Sequence, residues 1–260
     1  MNNILQNRKI GIKNEFNFIK SINKKKFKDM EFNIQDLIAD IYENKVNPCD
    51  KFYSWSNNFD YKTDIYIRKD GEEYSKKVSI KMGSRNSVHV EPINTFLDFL
   101  KENGINYNDL MEIKKYQYKD GTLNGTGILR LSASDYQEKN QIDIDLLNKN
   151  LNSKEIILNC INRFVVNGKN SNEYIDVLIN GTPDDFVYIK RNDIYKIALN
   201  HINDYSKAVH FSVLTYQTKN VNIKRNMKYE KDRYLIQIKW YNLFDHIIEN
   251  MNNNYINKNI

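Results

Sequence analysis

Several kinds of residue are scarce in this chain of 260 residues, and each scarcity excludes something. There are two cysteines, Cys49 and Cys160, far apart and with no ligand spacing around them. That excludes a disulfide framework and argues against a structural zinc site. The four histidines, His89, His201, His210 and His246, form no metal-binding spacing. No run of apolar residues is long enough to span a bilayer, so no membrane segment is expected. The first residues, MNNILQNRKIGIKNEF, contain no apolar stretch after their charges, so no secretory signal is expected and the expected location is the cytoplasm. Only three prolines occur, and no Pro- or Ser-rich linker or internal repeat interrupts the chain.

What is present is a globular composition with 40% hydrophobic residues, enough to build a substantial core. The formal charge of +6 favours polyanionic partners, since counterion release drives binding to nucleic acid. The sequence is also crowded with Lys, Asn and Ile, as an AT-biased genome would supply, so part of the basic excess is background.

Hydrophobic spacing predicts a first helix over GIKNEFNFIKSINKKKF, with Ile12, Phe16, Ile19 and Ile22 as its apolar stripe and Glu15 on or beside it. A second helix turns Ile34, Leu37, Ile38 and Ile41 inward. The period then changes to two. Ile65 and Ile67 alternate with Asp64, Tyr66 and Arg68, and Val78, Ile80 and Met82 alternate with Lys77, Ser79 and Lys81. Asp70-Gly71 supplies a turn between these strands, so an antiparallel hairpin sets Asp64 roughly opposite Ser79 and Lys81. The small-residue stretch MGSRNSVHVEP reads as a loop, with Pro92 opening a helix and Glu91 at its entrance. Ile93, Phe96, Leu97 and Leu100 form that helix's stripe. Further helices are predicted near 106–115, 153–166 and 192–202, and DGTLNGTGILRLS is read as a turn leading into a strand. Strands are predicted near 174–180 and 185–190, and over VHFSVLTYQ and RYLIQIKWY, before a last helix bearing Leu243, Phe244, Ile247 and Ile248.

Asp64, the Ser79-Ile80-Lys81 triplet and Glu91 resemble the active site of the PD-(D/E)XK nuclease superfamily, which carries an acid on one strand and acid-x-Lys on the next. The residue types suit phosphodiester hydrolysis. Carboxylates hold Mg²⁺, the metal polarises the phosphate and activates water, and a lysine offsets the developing charge. The chain departs from the pattern at Thr63, where the family has proline, and more seriously at Ser79, where it has Asp or Glu. A subgroup of restriction endonucleases carries Ser-x-Lys and takes its second carboxylate from further along. Glu91 resembles that displaced acid, at a spacing somewhat shorter than the subgroup's. Glu15 resembles the glutamate that many of these nucleases bring to the metal from their first helix. SIKMGSRNSVHVEPINTFLDFL resembles the core, and LTYQTKN with YEKDRYLIQIKW the C-terminal part, of proteins classed with type II restriction enzymes.

The resemblance implies an α/β fold, a mixed central sheet flanked by helices with a restriction-endonuclease-like core. It places the catalytic hairpin within residues 1–118, and assigns 119–260 to the rest of the core and DNA recognition, the whole forming two parts or one continuous domain. It implies a Mg²⁺-dependent type II restriction endonuclease that cuts double-stranded DNA at a short sequence as a homodimer. Asp64, Glu91 and Glu15 would be metal ligands, Lys81 would position the water, and Ser79 would be a polar neighbour. Ser84, Arg85, Asn86 and Ser87 in the loop, Lys219, Lys224, Arg225 and Lys228 in a basic connection, and Gln237 and Lys239 on a strand are candidate DNA contacts. A cognate methyltransferase cannot be inferred from one chain.

Plainer readings stand beside these. On the hairpin alone Asp64 and Lys81 read equally as a cross-strand ion pair, and Glu15 and Glu91 shift the balance to catalysis. Glu91 reads as a helix N-terminal acid, Glu15 as the wet edge of a stripe, and the basic residues as a solvated surface. Two other functions stay open: a repair or junction-resolving nuclease, and a DNA-binding protein whose active site has decayed at Ser79.

Overall fold

A computed structural model describes residues 2–57, 62–83, 86–168 and 173–258. In chain order the first elements are α1 (Asn2–Ile22), β1 (Lys25–Lys26), α2 (Phe32–Ile41), β2 (Lys51–Ser56), β3 (Ile65–Lys69), β4 (Lys76–Lys81) and β5 (Asn86–Pro92). Then come α3 (Ile93–Glu102), α4 (Tyr107–Tyr118), α5 (Ala133–Lys139), α6 (Gln141–Leu151) and α7 (Lys154–Ile161). The chain continues through β6 (Val177–Thr182), β7 (Asp185–Lys190), α8 (Arg191–Asn200), β8 (His210–Phe211), β9 (Leu214–Thr218), β10 (Leu235–Trp240) and α9 (Leu243–Lys258). The fold is mixed α/β, as expected, but it carries two sheets. They belong to two compact units, each discontinuous in sequence: Met1–Asn86 with Val165–Tyr195 and Asn242–Ile260, and Ser87–Phe164 with Lys196–Tyr241.

The first unit is built on a six-stranded sheet in the order β1-β2-β3-β4-β6-β7. Its neighbours are antiparallel except β4 and β6, which run parallel. The β3–β4 hairpin therefore occupies the middle of the sheet, and Gly71, with φ of 79°, turns it. One face of the sheet is apolar. Ile65 and Ile67, Val78 and Ile80, and Val177 and Ile179 pack against Phe18 and Ile22 of α1 and Ile34, Leu37, Ile38 and Ile41 of α2. Strand alternation turns Ser79, Lys81, Leu178 and Asn180 to the opposite face.

The α2 stripe falls where its spacing puts it, but the α1 stripe does so only in its second half, where Ile22 is buried and Ile19 packs against the core. Ile12 and Phe16 are 55% and 63% exposed, while Asn14, Phe18 and Ile22 are buried. Both series have helical spacing. The polar member of the true one, Asn14, is tolerated inside because its Nδ2 donates to the Gly181 carbonyl at 2.8 Å.

The second unit carries the sheet β5-β10-β9-β8. Phe96, Phe164, Phe211 and Tyr216 form a ring-to-ring cluster in its core, with Trp240 also fully buried. β10 matches the second of the two strands expected late in the chain, with Ile236, Ile238 and Trp240 facing in, whereas VHFSVLTYQ is not one strand: a turn at Ser212, with φ of 53°, folds it into the antiparallel pair β8 and β9. Two further expectations need correction. MGSRNSVHVEP is not all loop, since β5 runs through Pro92 and α3 begins one residue later, so Glu91 sits on a strand. DGTLNGTGILRLS leads to a single bridge, Leu129 to Lys224, and not to a strand. Its chain is held instead by Asp120, which accepts from Thr122 and Gly127 and pairs with buried Arg233 at 2.6 Å. Beyond it, α5 opens at a Ser132 cap on Asp135 N–H, and α6 buries Ile144, Leu147 and Leu151. The sequence reading had neither helix.

Candidate active site

Asp64 stands one residue before β3, and its N–H continues the hairpin ladder by donating to the Val78 carbonyl at 2.9 Å. Its side chain is 23% exposed and that of Lys81 21%. The Asp64 Oδ2 atom accepts from the Ile80 N–H at 2.5 Å, from Ser79 Oγ at 3.0 Å and from Lys81 Nζ at 3.4 Å. Lys81 Nζ also donates to Ser79 Oγ at 3.0 Å and to the Ile80 carbonyl at 3.2 Å. Ser79 is thus the polar bridge between the acid and the lysine. All of these bonds fall on Oδ2; Oδ1 takes part in none of them.

Glu15 lies close enough to feel both charges. Burial is the main cause that pushes its pKa up, the Asp64 carboxylate adds to the rise, and Lys81 partly offsets it, leaving a value of about 7. Asp64, Ser79, Lys81 and Glu15 are therefore brought together within the first unit.

Glu91 belongs to the second unit and is already engaged there. Its side chain is fully buried, with Arg163 as a bidentate partner at 2.7 and 3.2 Å and His89 at 3.5 Å. Burial pushes its pKa up, but hydrogen bonds from His89 and Arg163 and the charge of both outweigh that and bring it down to about 2.

Asn180 was missed by sequence reasoning. It pairs in register with Lys81 across the parallel β4–β6 ladder, is 4% exposed, and leaves its Oδ1 buried with no hydrogen-bond partner among the described residues. A polar residue directly after the apolar run Val177-Leu178-Ile179 was its signal in the sequence. Among the described residues no group of three or more His, Cys, Asp or Glu is arranged to hold a metal. The donors here are instead a carboxylate with a free oxygen, a half-buried acid and an unpartnered amide oxygen. That hard, all-oxygen set fits a divalent cation of the Mg²⁺ type.

Of the candidate DNA contacts, Ser84 and Arg85 lie outside the described residues. Asn86 is buried, with its Nδ2 on the Gly83 carbonyl at 2.8 Å, whereas Ser87 is exposed. Lys219 pairs with Asp232 at 3.1 Å, and Arg225 makes two bonds to Glu230. Lys224 and Lys228 are exposed. Gln237 and Lys239 alternate with the buried residues of β10 and stand opposite Gln217 and Thr215 of β9, two further polar side chains that the sequence reading passed over.

No family model matches the chain, and no curated protein matches it. Among solved structures it is similar to the restriction endonuclease MspI in complex with its cognate DNA, with a TM-score of 0.50 and 14% identity over 80% of this chain and 77% of that one. The chain accordingly has a restriction-endonuclease-like fold.

Proposed function

We propose that this protein is a divalent-metal-dependent endonuclease acting on double-stranded DNA, of the type II restriction kind, cutting at a short sequence as a homodimer. The single observation that carries the reading is the hairpin at the centre of the sheet, on which Asp64, Ser79 and Lys81 share one hydrogen-bonded cluster. The similarity in fold to MspI, itself solved with DNA, supports it.

Asp64 and Glu15 are the residues that would hold Mg²⁺. The chemistry such a cation supplies is polarisation of the phosphate and activation of a water. Lys81 holds a positive charge where the phosphate would gain negative charge, and orients the attacking water. Ser79 fixes the lysine by accepting from Nζ while donating to Asp64. Water adds to phosphorus as the bond to the 3′ oxygen breaks, leaving a 5′-phosphate and a 3′-hydroxyl. Glu91 is read differently: with both carboxylate oxygens engaged, it anchors β5 through Arg163 and leaves the metal to other ligands. The polar outward row of Thr215, Gln217, Gln237 and Lys239 is the surface best suited to reading base edges.

A second reading rests on Ser79. A hydroxyl in place of the family's acid lowers the charge available to a metal, as in a DNA-binding protein that has lost catalysis. Digestion of plasmid and phage DNA with Mg²⁺, with EDTA and with Lys81→Ala separates the two. Discrete fragments that vanish with EDTA and with the variant support the nuclease. Intact DNA in every lane, from protein that still retards DNA on a gel, supports the binding protein.

A further inference from the structure

The hairpin is one oxygen ligand short. Ser79 stands at the family's acid position, but its hydroxyl is engaged as donor to Asp64 and acceptor from Lys81. Glu91 is held by Arg163. We propose that the missing ligand is the side-chain carbonyl oxygen of Asn180, which together with Asp64 binds the divalent cation. The inference rests on reading this cluster as a metal centre.

Three features of the structure carry it. The first is placement. Asn180 is the in-register neighbour of Lys81, and adjacent strands lie about 4.8 Å apart. Val177 and Ile179 face the apolar core, so alternation puts Asn180 on the face that bears Ser79 and Lys81. It is also at the carboxyl end of the parallel pair, the end at which open α/β sheets receive ligands.

The second is the orphaned atom. Asn180 is more than nine-tenths buried, and its Oδ1 has no hydrogen-bond partner among the described residues. Buried acceptors are nearly always satisfied, so an exception calls for a ligand. An amide oxygen is a ligand that hard divalent cations accept beside carboxylates, although it adds no charge.

The third is rigidity. The next residue, Gly181, has φ of 137°, and a Cβ there would collide with the Asp185 carbonyl, so the backbone at this point is fixed by the β6–β7 hairpin. The Gly181 carbonyl accepts from Asn14, the neighbour of Glu15 on α1. One hydrogen bond therefore ties the strand end that carries Asn180 to the helix turn that carries Glu15. Asp64, Asn180 and Glu15 come from three separate elements, and a cation would hold all three through oxygen.

The test is Mn²⁺ binding to the full chain without DNA, followed by the paramagnetic resonance of free Mn²⁺, for wild type, Asn180→Ala, Asn180→Asp and Asp64→Ala. Thermal unfolding checks each variant's fold. The expected result is at least tenfold weaker binding for Asn180→Ala, and binding at least threefold tighter than wild type for Asn180→Asp, which keeps the oxygen and adds a charge. Wild-type affinity in Asn180→Ala, with binding lost in Asp64→Ala, would overturn the role of Asn180 and leave the metal centre standing. Equal binding, or none, in both wild type and Asp64→Ala would overturn the centre itself. Should Asn180→Ala not fold, an unchanged affinity in Asn180→Asp would by itself overturn the proposal.

Discussion

Glu91 and Asp64 each have a cation beside them, and the two are in opposite conditions. Glu91 is fully buried, and both of its oxygens are taken, by Arg163 in a two-point contact and by His89. Asp64 is partly open to solvent, and its bonds crowd onto a single oxygen. The environment of Glu91 holds its pKa at about 2, whereas the acid near Asp64, Glu15, is pushed up to about 7. Asp120 and Arg233 repeat the first pattern, with the Arg233 guanidinium on Asp120 and on the carbonyls of Gly125 and Gly127. The difference separates two uses of charge. Where every donor and acceptor is matched, the charge fixes the path of the chain. Where a buried acid is held partly protonated and oxygens are left over, free energy is available to a ligand.

The comparison breaks most visibly if Glu91 is truncated. Glu91→Ala leaves the partly buried Arg163 guanidinium without its carboxylate, and is expected to cost about 3 kcal/mol of stability. Urea unfolding measures this. The pH dependence carries the same message. The folded pKa lies below the ordinary value, so the ion pair's contribution is present above pH of about 4.5 and is lost as pH falls through about 2. Glu91→Gln should flatten that part of the acid-unfolding curve. A Glu91→Ala protein as stable as wild type, but deficient in metal binding, would erase the distinction drawn between the two carboxylates.

Lys81→Ala should give the reverse profile. Its ion pair with Asp64 is partly exposed, so stability should move by no more than about 0.5–1 kcal/mol. The cleavage rate should fall by about 10²–10³. Rates on a single-site plasmid, with unfolding midpoints on the same preparations, supply both numbers.

Lys119 sharpens the comparison from a third side, as a buried cation with no carboxylate beside it among the described residues. Its Nζ donates to the Tyr116 carbonyl and to Thr218 Oγ1, and lies 4.3 Å from the centre of the Tyr116 ring. Burial first, and the nearby Arg130 charge second, lower its pKa to about 7. The unfolded chain then binds the extra proton above that pH, so stability rises with pH between about 7 and 9. The rise should amount to roughly 1–3 kcal/mol and should be absent in Lys119→Met. Urea midpoints at the two pH values decide it.

The parts that were legible in the sequence share a cause. The β3–β4 hairpin shows itself through strict alternation and an Asp-Gly turn, and the α2 and α3 stripes through a single unambiguous helical period. Asp64, Ser79 and Lys81 came with the hairpin, because a local turn fixes the register. What the sequence hid depends on distant partners. The α1 face turns on Asn14 meeting Gly181, 167 residues away. The condition of Glu91 turns on Arg163, 72 residues away. Asn180 becomes visible only once β6 is known to lie beside β4. The helices α5 and α6 follow a loop organised by Asp120 and Arg233, an anchoring that no local spacing announces.

The smallest effect falls on Glu15, and its sign matters more than its size. The folded protein holds this proton up to about pH 7, while the unfolded chain releases it near 4.5. Between those values the folded state binds more protons, so stability falls as pH rises and the full penalty stands above 7. Glu15→Gln should therefore stabilise the protein at pH 8 by about 0.5–1 kcal/mol, after allowance for solvent screening of a half-buried group, and should leave it unchanged at pH 4. A cation favours the ionised carboxylate, so adding Mn²⁺ to wild type at pH 6.5 should release a proton that the variant does not. Stabilisation by Gln combined with loss of that proton is what a site under unrelieved charge strain requires. Destabilisation at both pH values would make Glu15 a matched, structural acid of the Glu91 type.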